Sequence, residues 1–328
     1  MDSATVTVSV VRPVWYVNPV VAAGNAVELG SQTYPFSSMQ QGVAAAAPGD
    51  TVRIGVASYG GTLLIKKSLV VIGDSTAAGF PRLRNSTGPA VVVDTAGTVR
   101  LSRLHIEDSG VGVVAIAADT LDLSQIVIDR SRGVGISVRK SGYVTIGATS
   151  VAGAVLRGID AESTATLRVR QTSVDLVSGG AGGEPGWALR AWVVDTVTGD
   201  TTTLATAGAR VDSADVVALR AVFVAGARGP ALQVFGGEQV TIVEGDYSGA
   251  PDDYAVSMDL PGSATVRLDS TRIHDNTGFG LLVTGPLSVT MRGTTVERSF
   301  GALGLAVVKF SGVGAVTIAQ SSFLQNGY

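Results

Sequence analysis

Two acidic residues two positions apart, Asp160 and Glu162, are candidates for acid–base chemistry. In an extended strand, residues two apart point to the same side, which would place the two carboxyl groups about 5 to 9 Å apart. That interval includes the separations used in both retaining and inverting cleavage of a glycosidic bond. The pair is therefore a candidate catalytic pair whose mechanism the spacing leaves open.

Arginine and aromatic residues occur in the segments on either side of this pair. Arg139 and Arg190 join the acids as candidate catalytic residues, because a guanidinium group can donate two parallel hydrogen bonds to a carboxylate such as that of a uronate sugar. The indole of Trp192 could stack on a sugar ring. The other candidate ligand-binding residues are Trp187, Phe235, Gln233 and Asp259.

A structural explanation of the same residues stays open. With neighbouring strands in register, Arg190 would lie beside Asp160 and Arg139 beside Glu162, forming two surface ion pairs worth at most about 1 kcal/mol each. Trp192 would then pack beneath an inserted loop. The sequence alone does not decide between binding, catalysis and a purely structural role for this surface.

These residues need a scaffold, and a repeat of short apolar segments predicts one. Nine segments share an apolar anchor residue, an apolar residue two positions earlier and another five positions later. The residue between the first two is polar or small, which is the pattern of a strand with one buried face. The anchors are Leu101, Leu123, Ile146, Val169, Leu219, Ile242, Leu268, Met291 and Ile318.

The spacing of the anchors predicts the architecture. Most are 22 to 27 residues apart, and a further short strand precedes each anchor by about ten residues. Three short strands in each repeat leave no room for helices between parallel strands. We therefore predict an all-β protein, a parallel β-helix of about ten coils in which like side chains stack about 4.8 Å apart.

The residues before the repeat predict a cap for one end of the β-helix. A lead strand is expected within residues 4–17. A capping α-helix is expected to begin at Ser37 or Ser38 and to end before Pro48, which cannot continue a helix.

These boundaries divide the chain into residues 1–49, the lead strand and capping helix, and residues 50–328, the β-helix. No cover is evident for the opposite end of the β-helix. We therefore expect the natural protein to continue beyond Tyr328.

One interval between anchors, from Val169 to Leu219, is 50 residues long. We interpret the excess as two insertions, a glycine-rich loop at 178–186 and a hairpin within 195–214 that turns at Gly199. Long insertions on a repetitive scaffold often border a functional surface. Both insertions flank the strand that carries Arg190 and Trp192, and thus point to the same surface.

The start of the repeat resembles the pectin-lyase-like superfamily of right-handed parallel β-helices. The resemblance is carried by YVNP at 16–19 and by PFSSMQQGVAAAAPGDTVRIGVASYGGTLLIKKSLVVIGD at 35–74, and it covers the later coils by pattern. It implies three sheets, PB1, PB2 and PB3, joined by turns T1, T2 and T3, with ligand clefts on the outer face of PB1. It also implies a bacterial protein that is secreted or on the cell surface. The signature residues of pectin methylesterases, polygalacturonases and pectate lyases are missing, which disfavours those activities.

Composition narrows the possible partners. A net charge of −3 does not favour nucleic-acid binding, and no apolar run is long enough to predict membrane insertion. With no cysteine and two histidines, a thiolate or multi-histidine metal site is excluded and no cofactor is predicted. Asp252-Asp253 is a candidate for calcium, although the oxygen-rich spacing of a calcium loop is missing.

The function predicted from these observations is an extracellular or cell-surface β-helix module that binds a polysaccharide or cell-surface glycan along the PB1 face. One alternative is a polysaccharide lyase, esterase or glycoside hydrolase that uses the candidate catalytic residues. The other is a structural stalk or adhesin segment without catalysis. The oligomeric state stays open.

Overall fold

A computed structural model describes residues 13–77, 79–177, 186–251, 254–300 and 308–325. They form an all-β parallel solenoid of about eleven turns with very little helix. Every pairing between strands in these residues is parallel and joins a strand to its equivalent one turn further along the chain. The fold predicted from the repeat is confirmed, with about one coil more than expected.

Each turn of the solenoid contributes to three sheets, for which we keep the names PB1, PB2 and PB3. Five strands continue around a corner and belong to more than one sheet: Thr98–Glu107, Thr120–Asp129, Arg157–Arg170, Trp187–Ala205 and Val216–Ala225. The remaining PB1 strands are Leu63–Ile65, Pro89–Asp94, Val111–Ile116, Val134–Arg139, Ala209–Asp212, Leu232–Phe235, Tyr254–Asp259, Phe279–Thr284 and Val308–Ser311. The remaining PB2 strands are Val14–Val17, Thr51–Ile54, Leu69–Gly73, Tyr143–Gly147, Gln239–Val243, Thr265–Asp269, Ser288–Arg292 and Ala315–Ala319. The remaining PB3 strands are Ser58–Gly60, Arg82–Arg84, Ser150–Ala154, Ser173–Val177, Asp246–Ser248, Arg272–Asn276, Thr295–Ser299 and Ser322–Leu324.

The core lies inside the coil and consists of stacked aliphatic columns. Eight of the nine predicted anchors are buried, and the ninth, Ile318 in the last described coil, is exposed. Burying such columns is the main favourable contribution to folding.

Two short helices, Pro19–Ala22 and Met39–Ala45, lie at the N-terminal end. The second is the predicted capping helix. The Ser38 hydroxyl accepts a hydrogen bond from the backbone N–H of Gln41, whose side chain in turn binds the Ser38 backbone, forming a capping box. Its buried residues Met39 and Val43 cover the end of the core.

Left-handed residues turn the chain at the corners. Between PB2 and PB3, one non-glycine residue per coil has a φ between 47° and 57° in nine coils. This conformation costs roughly 1 to 2 kcal/mol per residue, so stacking of the coils must impose it. The nine residues are Arg103, Gln125, Ala148, Gln171, Thr201, Ala221, Glu244, Ser270 and Gln320.

The predicted hairpin within 195–214 is wrong, because these residues belong to an additional coil. The strand Trp187–Ala205 pairs in parallel with Arg157–Arg170 on one side and with Val216–Ala225 on the other. Its residue in the anchor column is Gly199, which has no side chain to continue the apolar pattern. A Cβ on Gly199 would lie 3.1 Å from a Val222 methyl group, so the neighbouring coil fills the space. Of the predicted loop at 178–186, all but the last residue lies outside the described residues.

Candidate functional site

The additional coil determines which side chains are neighbours on the outer PB1 surface. Its strand Ala209–Asp212 inserts Arg210 between Arg190 and Gln233, and Asp212 between Trp192 and Phe235. One outward column contains Ser137, Asp160, Arg190, Arg210, Gln233 and Ser257, and the next contains Arg139, Glu162, Trp192, Asp212, Phe235 and Asp259. The predicted site residues therefore share one surface.

A groove of about 450 Å³ opens on this surface, which we call the PB1 groove. It runs along four successive coils and is lined by Arg157, Trp187, Arg190, Trp192, Arg210, Asp212, Ser213, Phe235 and Gly236. Four predicted residues line it, namely Trp187, Arg190, Trp192 and Phe235. The other five lie on the same surface without lining it: Arg139, Asp160, Glu162, Gln233 and Asp259.

Asp160 is buried between two arginines. Its side chain is 2% exposed, Arg190 Nε donates a hydrogen bond of 2.8 Å to Oδ1, and Arg157 Nη1 donates one of 3.2 Å to Oδ2. A buried carboxylate is tolerated because both of its oxygens have a cationic donor. The carboxylate therefore fixes two of the guanidinium groups that line the groove. Its catalytic role stays a prediction.

The second predicted ion pair also forms, but in a more hydrated setting. Arg139 Nε lies 3.5 Å from Glu162 Oε2, with the two side chains 55% and 38% exposed. Such a pair contributes at most about 1 kcal/mol to stability. Glu162 is thus far more accessible to a ligand than Asp160.

An arginine lies against each of the three aromatic rings at the groove, and Trp192 is the most exposed of the three. The Arg190 guanidinium carbon lies 5.3 Å from the centre of the Trp192 ring. Trp192 is 47% exposed, whereas Trp187 is only 4% exposed and offers little surface to a ligand. The Arg210 guanidinium carbon lies 4.9 Å from the centre of the Phe235 ring and 5.9 Å from that of Trp187. Its Nε also donates a hydrogen bond of 2.9 Å to Asp212. Cation–π contacts and this ion pair fix Arg210 in the floor of the groove.

The residues that sequence reasoning missed here are Arg157, Arg210 and Asp212. Arg210 and Asp212 were missed because the additional coil was not recognised. The alternation of inward and outward residues in Ala209–Asp212 matches that in Leu232–Phe235 and could have revealed this coil. Arg157 lies three residues before Asp160, a spacing that strand periodicity does not single out.

Metal binding and membrane spanning can be considered for the described residues alone. Among the residues that the structure describes, no group of three or more His, Cys, Asp or Glu is placed to hold a metal ion. The calcium candidate Asp252-Asp253 lies outside them. No helix in the described ranges is long and apolar enough to cross a membrane.

Comparison with known proteins gives matches in structure only. Neither a protein-family model nor a curated protein sequence matches this chain. The A-module of a mannuronan C-5 epimerase from Azotobacter vinelandii superposes with a TM-score of 0.55 and 12% identity, over 88% of this chain and 92% of that one. A polygalacturonase from Erwinia carotovora ssp. carotovora also gives 0.55 and 12%, over 94% of this chain and 100% of that one.

This chain has the pectin-lyase-like, right-handed parallel β-helix fold. The resemblance seen at the start of the repeat is confirmed at the level of the pectin-lyase-like fold. A lacto-N-biosidase from Eubacterium ramulus matches with a TM-score of 0.50 and 10% identity, over 95% of this chain and 68% of that one. At these identities the likeness establishes the pectin-lyase-like fold alone, so function must be argued from the groove.

Proposed function

We propose that this chain binds a polysaccharide in the PB1 groove, with Trp192 as the stacking surface. The observation that carries the proposal is a half-exposed indole at an open groove of about 450 Å³ whose floor holds fixed arginines. A sugar presents an apolar ring face and a rim of hydroxyl or carboxylate oxygens. The indole suits the first, and the guanidinium N–H groups suit the second.

Binding is better supported than catalysis. A general acid or base must reach the atom whose proton it transfers, and Asp160 is buried with both oxygens bonded to arginine. Asp212 is held by Arg210, and Glu162 by Arg139. A lyase, esterase or hydrolase that uses Asp160 and Glu162 remains the second candidate.

Two further observations agree with a carbohydrate ligand. The groove is open at the additional coil, where a covering hairpin would have favoured the stalk alternative. The structural neighbours bear names that refer to carbohydrates: mannuronan, polygalacturonate and lacto-N-biose. With a polysaccharide as ligand, the proposal includes a secreted or cell-surface location.

A glycan array followed by affinity electrophoresis tests the proposal. Trp192→Ala should weaken binding about 30-fold, corresponding to the loss of about 2 kcal/mol expected for a central aromatic contact. Phe223→Ala is the matched control, because Phe223 is an exposed aromatic residue on PB3, away from the groove. Equal binding by wild type and Trp192→Ala would refute the proposal.

The same glycans distinguish binding from catalysis. Incubation should release no reducing ends, methanol or unsaturated products. Product release that is lost in Asp160→Asn or Glu162→Gln would instead establish the catalytic alternative.

A further inference from the structure

Val193, the residue after Trp192, has a backbone conformation that does not suit its side chain. Its φ is 52°, in the left-handed region that β-branched residues rarely adopt. Three other β-branched residues in the described ranges have a positive φ, Thr95, Thr201 and Thr206. Each threonine hydroxyl hydrogen-bonds to the preceding residue, which compensates part of the cost locally. The valine isopropyl group has no such bond.

Packing does not explain the valine either. Its side chain belongs to a residue that is 49% exposed, so it adds little to the core. The equivalent corner position is occupied in other coils by Thr95, Ala117, Lys140, Ser163 and Ser213, so the fold does not require an aliphatic residue there. A strained and exposed aliphatic residue beside a proposed ligand platform suggests a contact with the ligand.

A second groove begins at this residue. A shallow, open depression of about 510 Å³ lies on the T1 side of the corner and is lined by Lys140, Ser141, Gly142, Ser163, Thr164, Ala165, Val193 and Asp195. We call it the T1 groove. Lys140 and Asp195 are exposed, and neither forms an ion pair within the described residues, which leaves both able to hydrogen-bond to hydroxyl groups. Ser141 and Thr164 are buried and hydrogen-bond within the protein, so the accessible polar groups of the T1 groove are Lys140, Asp195 and Ser163. Together with one aliphatic contact, these groups suit a sugar.

The two grooves meet at Trp192 and Val193. The PB1 groove extends from the coil of Arg157 towards the C-terminus, and the T1 groove extends from the coil of Val193 towards the N-terminus, so the two grooves overlap on the coils of Arg157 and Trp192. A linear chain that crosses the corner diagonally would occupy both. We infer that the polysaccharide site continues over Val193 into the T1 groove, and that Val193 contacts the ligand at the crossing. This inference rests on the proposed function of the PB1 groove.

Val193→Gly distinguishes a ligand contact from a structural role. If Val193 contacts the ligand, the substitution should raise the stability of the ligand-free protein but lower its affinity for the ligand. Glycine adopts a positive φ without strain, so the melting temperature of the ligand-free protein should rise by about 2 °C or more. Affinity for a long oligosaccharide should fall about tenfold, as expected for the loss of a buried valine side chain. Thr95→Gly is the control, since Thr95 has the same corner position four coils away from Val193 and lines neither groove. It should leave affinity unchanged.

The affinity measurement uses length series of oligosaccharides from polygalacturonate, from mannuronan and from a neutral β-glucan, titrated into wild type, Val193→Gly and Trp192→Ala. Affinity should increase with length in wild type, and Val193→Gly should remove that increase while short oligosaccharides bind as before. If Val193→Gly binds every length like wild type, or lowers the melting temperature, the inference is overturned. Short oligosaccharides that still require Trp192 would then show that the proposed function stands. If no glycan binding depends on Trp192, the proposed function fails, and the inference fails with it.

Discussion

Replacing Asp160 by asparagine should destabilise the fold far more than replacing Glu162 by glutamine, although both are acidic residues on the same strand face. Asp160 has guanidinium nitrogens at 2.8 and 3.2 Å and is 2% exposed. At an effective dielectric constant of 20, a pair of unit charges at about 4 Å gains about 4 kcal/mol, so two pairs gain about 8 kcal/mol before desolvation. A neutral asparagine loses this attraction but avoids the desolvation of a buried carboxylate, which costs several kcal/mol.

The net loss should be about 3 kcal/mol, at the low end for a broken buried ion pair. The low end is appropriate because the side chains of Arg157 and Arg190 are 30% and 17% exposed and so keep some hydration. Glu162→Gln should cost less than about 1 kcal/mol, because its single pair is longer and hydrated.

Urea denaturation of the two variants and wild type, followed by circular dichroism, measures these differences as free energies of unfolding. Similar values for the two variants would refute the reasoning, as would a loss below about 1 kcal/mol for Asp160→Asn. Either result would mean that burial and double pairing do not distinguish the contribution of Asp160 to stability from that of Glu162.

Two further predictions concern hydroxyl burial and pH. Tyr247→Phe should keep or raise the free energy of unfolding, by up to about 1 kcal/mol, because the buried Tyr247 hydroxyl has no hydrogen-bond partner among the described residues. Tyr59→Phe should lower it by about 1 kcal/mol, because the Tyr59 hydroxyl donates to a backbone carbonyl at 2.9 Å; equal effects in chemical denaturation would contradict this. Hydrogen bonds from Arg298 and His274 lower the pKa of Asp275 from its ordinary value of 3.8. A lowered carboxyl pKa gives stability that is complete above that value and is lost as the pH falls below it. The melting temperature should therefore fall below a pH of about 4, and less steeply in Arg298→Gln; parallel pH profiles would disprove the contribution.

The β-helix scaffold was predictable because apolar inward residues and polar outward residues alternate in the same way in nearly every coil. An inward side chain must be apolar in every coil, so anchors such as Ile146 and Val169 are recognisable without any knowledge of their neighbours. The pattern failed at Gly199, where the core is filled from the next coil by Val222. A column position without a side chain cannot be read from periodicity.

The site was predictable only in part, because it depends on which coils are adjacent. The pairing of Arg190 with Asp160 was correctly expected from register, since no coil separates them. Trp192 and Phe235 were both predicted as ligand-binding residues, but their separation was not, because Asp212 of the unrecognised coil lies between them. The burial of Asp160 also depends on Arg157, whose approach from the same strand is a matter of side-chain conformation.

The most direct test of polysaccharide binding by the PB1 groove is a crystal structure of the protein with an oligosaccharide that it retains in affinity electrophoresis. We predict a sugar ring stacked on Trp192, with oxygen atoms hydrogen-bonded to Arg190 or Arg157. Density for the sugar on another face of the β-helix, with Trp192 uncovered, would contradict the proposal.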